Sequence, residues 1–118
     1  MSAAATATAA AAVKAIADPR RRDILRLVRR REVSAGDIAR HFYVSRPAIS
    51  QHLTVLKNAG LLAERRDGTR RYYRARPEGL QELRSYLDGL WDATLRDLKR
   101  VAEAAEESNT RRKRSRAS

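Results

Sequence analysis

The chain has 118 residues, enough for one domain with short tails but too few to bury a large core alone. It contains no cysteine, which excludes disulfides, thiolate metal sites and cysteine redox sensing, and it suits a cytoplasmic protein. Its formal net charge of +12 favours a polyanionic partner, with nucleic acid the leading class.

In chain order, residues 1–12 are alanine-rich and low in complexity. They offer no apolar stripe, so a flexible tail is expected, with a short helix near Val13–Ala17. The same stretch lacks the basic start and leucine-rich centre of a secretion signal, and no apolar run in the chain reaches the length of a membrane span. Asp18-Pro19 starts a helix over residues 19–31, with Ile24, Leu25, Leu27 and Val28 as its apolar face. Ser34 caps a short helix whose inward residues are Ile38, Ala39 and Phe42. The link Tyr43-Val44-Ser45 leads to a third helix with Ile49, Leu53 and Leu56 inward, stopped by Gly60 in the left-handed conformation.

Two strands, Leu61–Arg66 and Thr69–Arg74, flank the hairpin signal Asp67-Gly68. That turn sets Arg66 opposite Thr69 and Leu62 opposite Tyr73. Pro77 ends the second strand and opens a long helix over 77–106, striped by Leu80, Leu83, Leu87, Leu90, Leu98 and Val101. Residues 108–118 form a basic run expected to be disordered, so the domain proper is taken as 13–107. The fold class is mainly α with a small β-hairpin (α+β), a winged helix-turn-helix.

Charge follows this division. Residues 19–76 hold sixteen basic and five acidic side chains, residues 77–107 four and eight, and residues 108–118 five and none. The basic excess therefore coincides with the helix-turn-helix and hairpin. On the third helix the face opposite Ile49, Leu53 and Leu56 carries Pro47, Gln51 and Thr54, flanked by Arg46 and Ser50. These short or polar residues suit approach to base edges. Arg46 can pair with guanine and Gln51 with adenine, while Ser45, Ser50 and Thr54 suit phosphates. Arg65, Arg66, Arg70 and Arg71 surround the hairpin turn and read as a wing that reaches a phosphate or minor groove. Arg20, Arg21 and Arg22 either reach the DNA backbone or form a solvated face. The stripe Leu83, Leu87, Leu90, Leu98 and Val101, with Trp91 beside it, is too long for one small domain to cover and is assigned to a homodimer interface.

The run Asp18-Pro19-Arg20-Arg21-Arg22-Asp23-Ile24-Leu25, then Val44-Ser45-Arg46-Pro47-Ala48-Ile49-Ser50-Gln51-His52-Leu53, then Leu56, Ala59-Gly60-Leu61 and the hairpin ending Tyr72-Tyr73, resembles the ArsR family of prokaryotic winged-helix repressors. The resemblance spans about residues 13–105. It implies dimers built on the first and last helices, with the helix Ser45–Asn58 reading the major groove of double-stranded DNA at an inverted-repeat operator. The chain departs from metal-sensing members. It has no cysteine, and its last helix carries Glu78, Glu82, Asp88, Asp92 and Asp97 but no histidine. A carboxylate-only set has little transition-metal selectivity, so no metal or other cofactor is expected, and the chain is more similar to the metal-free, autoregulatory branch. An effector, small molecule or protein, is left open. No nucleophile–base pair, phosphate-binding glycine loop or metal constellation suggests an enzyme. A nonspecific architectural DNA binder is the alternative reading.

Overall fold

The computed structural model describes residues 3–117, with side chains described from 8 to 115. The chain divides into two units, residues 1–84 and residues 85–118. The first contains helices α1 (Ala3–Ile16), α2 (Pro19–Leu27), α3 (Ala35–Phe42) and α4 (Arg46–Asn58), with strands β1 (Val33–Ser34), β2 (Leu62–Asp67) and β3 (Arg70–Ala75). The last helix, α5 (Pro77–Ala117), starts in this unit and supplies the described residues of the second.

Local chemistry sets the helix starts. Asp18 is extended and its carboxylate accepts from the backbone N–H groups of Arg20 at 2.7 Å and Arg21 at 3.3 Å. Ser34 accepts from the Asp37 N–H at 3.1 Å, and Ser45 from the Ala48 N–H at 3.3 Å. Each cap satisfies backbone donors that the first turn leaves unpaired. After α4, Gly60 adopts φ +78° and turns the chain into β2.

The core gathers one face of every element in the first unit. Ile24 of α2 and Val28 just after it, Ile38 of α3, and Ile49, Leu53 and Leu56 of α4 are fully buried, with Leu61, Leu62, Tyr73 and Ala75 closing the sheet side. The sheet has the order β1-β3-β2 and is antiparallel throughout. Two helices joined by a three-residue link, followed by a hairpin on a three-stranded sheet, form a winged helix-turn-helix.

The structure departs from the sequence expectations in several places. Helix α1 begins at Ala3, within the stretch expected to be a flexible tail. Ala9, Ala12 and Ala15, three apart, are buried, and α1 packs on α2 and α4. Their small size allows close helix approach, a packing face that a search for large apolar residues does not register. Helix α2 stops at Leu27, and the Val28 carbonyl instead accepts from the Ala75 N–H at 3.0 Å. Strand β1 was not expected. Its two residues pair as Val33 with Tyr73 and Ser34 with Tyr72.

The hairpin turn is one residue later than read from the sequence. Asp67 pairs with Arg70 and Leu62 with Ala75, leaving Gly68-Thr69 as the loop. Gly68 has φ +61° while Thr69 is not left-handed, the pattern of a loop with glycine at its first position. A shift of two in pairing preserves the faces, so Leu62 and Tyr73 still point inward. Helix α5 runs past residue 106 to Ala117, through the segment expected to be disordered. No glycine or proline follows Gly89, and the pair Lys99–Glu103 supports the helical register. Met1, Ser2 and Ser118 of the two expected tails lie outside the described residues, as does the side chain of Arg116.

Gly79, in the first turn of α5, shows how tightly that turn is seated. A Cβ there would lie 2.0 Å from the Gly60 carbonyl oxygen and 3.0 Å from its carbon, both backbone atoms that cannot rotate away. Gly79→Ala is expected to destabilise the first unit by about 2–3 kcal/mol, as overpacked core sites do. Urea denaturation followed by far-UV circular dichroism would measure it, and an unchanged midpoint would show that α5 can shift away from Gly60 without cost.

Candidate nucleic-acid interface

The α4 helix is oriented by its buried stripe. Because Ile49, Leu53 and Leu56 face the core, Ser45, Arg46, Pro47, Ser50, Gln51 and Thr54 are all exposed. Ser45 spends its oxygen as the helix cap yet keeps its hydroxyl proton for an outside acceptor. Arg46 makes no hydrogen bond or ion pair among the described residues, and its guanidinium lies over Gly36 at the start of α3. Ser50, Gln51, His52, Thr54 and Val55 border a shallow depression whose far wall is Arg21. His52 is half-buried at its margin.

The wing arginines, equivalent in sequence, are not equivalent in space. Arg65 donates from Nε to Glu32 Oε2 at 2.9 Å, and its guanidinium lies 4.6 Å from the centre of the Tyr72 ring. The Glu32 carboxylate raises the Arg65 pKa above its ordinary value. Arg66 Nε lies 3.4 Å from Glu64 Oε1. Arg71 is drawn towards the Tyr73 hydroxyl. Arg70, beside the Gly68-Thr69 loop, has no ion pair among the described residues and feels Asp37 only at longer range. The structure thus brings all four arginines to one hairpin but leaves Arg70 the most available to a phosphate.

Three residues that sequence reading passed over hold this arrangement. Glu64 is 12% exposed and accepts from the Tyr73 hydroxyl at 2.8 Å, while Lys57 Nζ of α4 lies 3.5 Å from the same oxygen. One carboxylate thereby ties the end of α4 to both strands of the wing. Glu32 joins the segment before β1 to β2 across 33 residues of chain. Nothing in local spacing signals such pairs, although an acid on the inward face of a hairpin, as Glu64 is, hints at an internal partner.

The arginines of α2 have another task. Arg21 donates to the Ala15 carbonyl at 2.6 Å and the Lys14 carbonyl at 3.4 Å, and Arg22 to those of Ile16 at 2.8 Å and Ala17 at 3.1 Å. They satisfy the open carbonyls at the end of α1. Arg20 lies over the Phe42 ring at 5.2 Å. The run is therefore held against α1 and Phe42 rather than forming a bare solvated face.

The residues assigned to a subunit contact separate into two sets. Leu83 is 6% exposed and belongs to the core of the first unit, because the first turns of α5 are seated there. In the second unit Leu87, Leu90, Trp91, Leu98 and Val101 are exposed, Trp91 at 62% and Leu98 at 59%. Leu95, at the same helical spacing, joins them and was missed. Among the described residues no group of three or more histidine, aspartate or glutamate side chains is placed to hold a metal ion.

Residues 18–64 match the family model described as "Bacterial regulatory protein, arsR family". An HTH-type transcriptional regulator of Mycobacterium tuberculosis is 46% identical over 82 residues, covering 70% of this chain and 77% of that protein. The transcriptional repressor SdpR of Bacillus subtilis is 46% identical over 69 residues, 58% of this chain and 77% of its own. Among solved structures, the homodimeric winged helix-turn-helix DNA-binding domain of a possible ArsR-family regulator from Mycobacterium bovis is similar with a TM-score of 0.62. It has 34% identity and covers 76% of this chain and 83% of that one.

The hydrogen-bond network of Glu64 has a pH signature. The Tyr73 hydroxyl, and with it the Lys57 and Arg66 cations, hold the Glu64 carboxyl below the ordinary glutamate value near 4.5. A depressed folded value means the network's stabilisation is fully present above about pH 4.5 and fades as pH falls through the folded value. The stability gap between the protein and Glu64→Gln, measured by urea denaturation from pH 3 to 7, should be constant above pH ~5 and shrink below it. Parallel acid limbs would mean that Glu64 titrates as a free carboxylate.

Proposed function

The chain belongs to the arsR family of bacterial regulatory proteins, and from that premise we propose that it is a homodimeric, sequence-specific repressor that occludes promoters by binding an inverted-repeat operator. The observation that carries this reading is the exposed α4 face, Ser45, Arg46, Pro47, Ser50, Gln51 and Thr54, on the same folded unit as a wing tipped by Arg70 and Arg71. In this reading Gln51 and Arg46 contact base edges, and the serines, Thr54 and the wing contact phosphates. Arg65 and Arg66 contribute mainly by shaping the wing, since Glu32 and Glu64 already engage them.

The dimer is supported by the exposed apolar face of α5 and by the homodimeric state of the Mycobacterium bovis neighbour. Two copies joined on Leu87, Leu90, Trp91, Leu95, Leu98 and Val101 would cover that face and present two reading helices to successive major grooves. Repression is supported by the similar Bacillus subtilis repressor. The protein acts without a transition-metal sensor: with no cysteine and no histidine on α5, only carboxylates are available there. Its place of action is the cytoplasm, and its effector is a separate question from its DNA contact.

A second reading has its own observation. The end of α5 bears Arg111, Arg112, Lys113 and Arg114, a basic run suited to sequence-independent contact with DNA. Fluorescence anisotropy with the gene's own upstream duplex and a scrambled duplex, at several salt concentrations, separates the two. A repressor should prefer its site by ~10³-fold or more. Equal affinities with a steep salt dependence would favour an architectural binder.

Within that assay Gln51→Ala should weaken the cognate duplex more than the scrambled one. Arg70→Ala should weaken both about equally and lower the salt slope by about one for each phosphate the arginine had neutralised. Leu90→Asp should shift the protein towards monomer in sedimentation velocity and weaken operator binding, with the first unit still folded. A dimer that survives this substitution would place the subunit contact elsewhere.

A further inference from the structure

Tyr43 closes α3 with φ 54° and ψ 43°, the one non-glycine residue with positive φ among the described residues. The left-handed position ends the helix as a cap, and its N–H donates to the Arg40 carbonyl at 3.3 Å. Glycine is the residue that takes this conformation without a steric penalty, while a Cβ crowds the backbone there. Such strain persists where packing or function compensates it.

Packing does not compensate it here. The Tyr43 side chain is 97% exposed, and among the described residues it makes no ring contact, cation–π contact or side-chain hydrogen bond. Among the described residues no contact of the side chain offsets the cost of a Cβ at this position.

Position and charge indicate a function that does. Tyr43 lies two residues before Ser45, so their Cα atoms are at most about 7 Å apart, and a phenol reaches nearly as far again. Its hydroxyl is therefore within reach of the backbone bordering whatever groove α4 enters. Exposed Arg46 lies three residues from it, and Asp37 of α3 is engaged by Arg40. These surroundings attract an anion. Tyrosine hydroxyls are among the side-chain donors that hold DNA phosphates.

We infer that Tyr43 is a DNA-backbone contact, its hydroxyl donating to a phosphate beside the major groove and fixing the angle at which α4 enters. This rests on the DNA-binding reading above. Because the donor is neutral, it positions the helix without displacing a counterion.

Two variants separate the contact from the fold. Tyr43→Gly should raise the melting temperature by a few degrees, since it removes the strain, yet weaken operator binding about 10-fold. Tyr43→Phe should leave the melting temperature unchanged and weaken binding several-fold, with the salt slope of the parent protein in both cases. Parent-like affinity in both variants would overturn the contact while leaving the DNA-binding reading intact. Weakening by glycine but not by phenylalanine would overturn the hydroxyl's role. Parent-like DNA affinity combined with abolished repression in a purified transcription assay would assign Tyr43 to a protein partner, and so reject a phosphate. A parent protein with no salt-dependent duplex binding would overturn both readings together.

Discussion

The burial of Ile49, Leu53 and Leu56 governs this molecule. Each fully buried branched side chain contributes roughly 1.5–3 kcal/mol, and the three lie on one stripe of a 13-residue helix. Their contacts with α3, β2, α2 and α1 leave α4 one rotational setting. Any other setting would expose the stripe and drive Arg46, Gln51 or Thr54 into an apolar core. The exposed face is thus the complement of the buried one, and whatever α4 recognises is decided by which residues the core rejects. The short link Tyr43-Val44-Ser45 adds a second restraint, because three residues allow little freedom in the angle between α3 and α4.

Electrostatics refines what packing has set. The first unit is strongly basic, and its few carboxylates are placed where they organise cations. Asp18 caps α2, Glu32 takes Arg65, Asp37 takes Arg40, and Glu64 binds Tyr73 and approaches Lys57 and Arg66. Exposed pairs of this kind add little stability individually. Their consequence is geometric: they decide which arginines are committed internally and which remain available. Arg21 and Arg22 are committed as well, to the carbonyls that end α1. A basic surface is therefore not a uniform one, and Arg46 and Arg70, on the helix and hairpin that face outward together, are among the cations that no carboxylate engages directly.

The second unit poses a simpler problem. A helix with Leu87, Leu90, Trp91, Leu95, Leu98 and Val101 exposed along one side carries more apolar surface than a lone surface helix ordinarily shows. In the first unit, Leu80 and Leu83 of the same helix pack against the core. One helix thus serves the protomer's own core at its start and presents an uncovered face further on.

Much of this was legible in the sequence because it is local. Caps at Asp18, Ser34 and Ser45, the stop at Gly60 and the spacing of Ile49, Leu53 and Leu56 act within a few residues, and periodicity reports them directly. The inward and outward faces of the hairpin were legible too, since alternation survives a shift of two in register. Tertiary structure decided the rest. The alanines of α1 became a packing face only once α2 and α4 lay against them, and β1 exists only because β3 runs beside it. Leu83 left the apolar seam for the core when Gly79 met Gly60. The arginines of α2 and the wing acquired different tasks from partners as far as 33 residues away. Sequence determines what each segment can form and which face it would bury; the identity of the neighbour that meets each face, and hence which charges stay free, follows only from the folded arrangement.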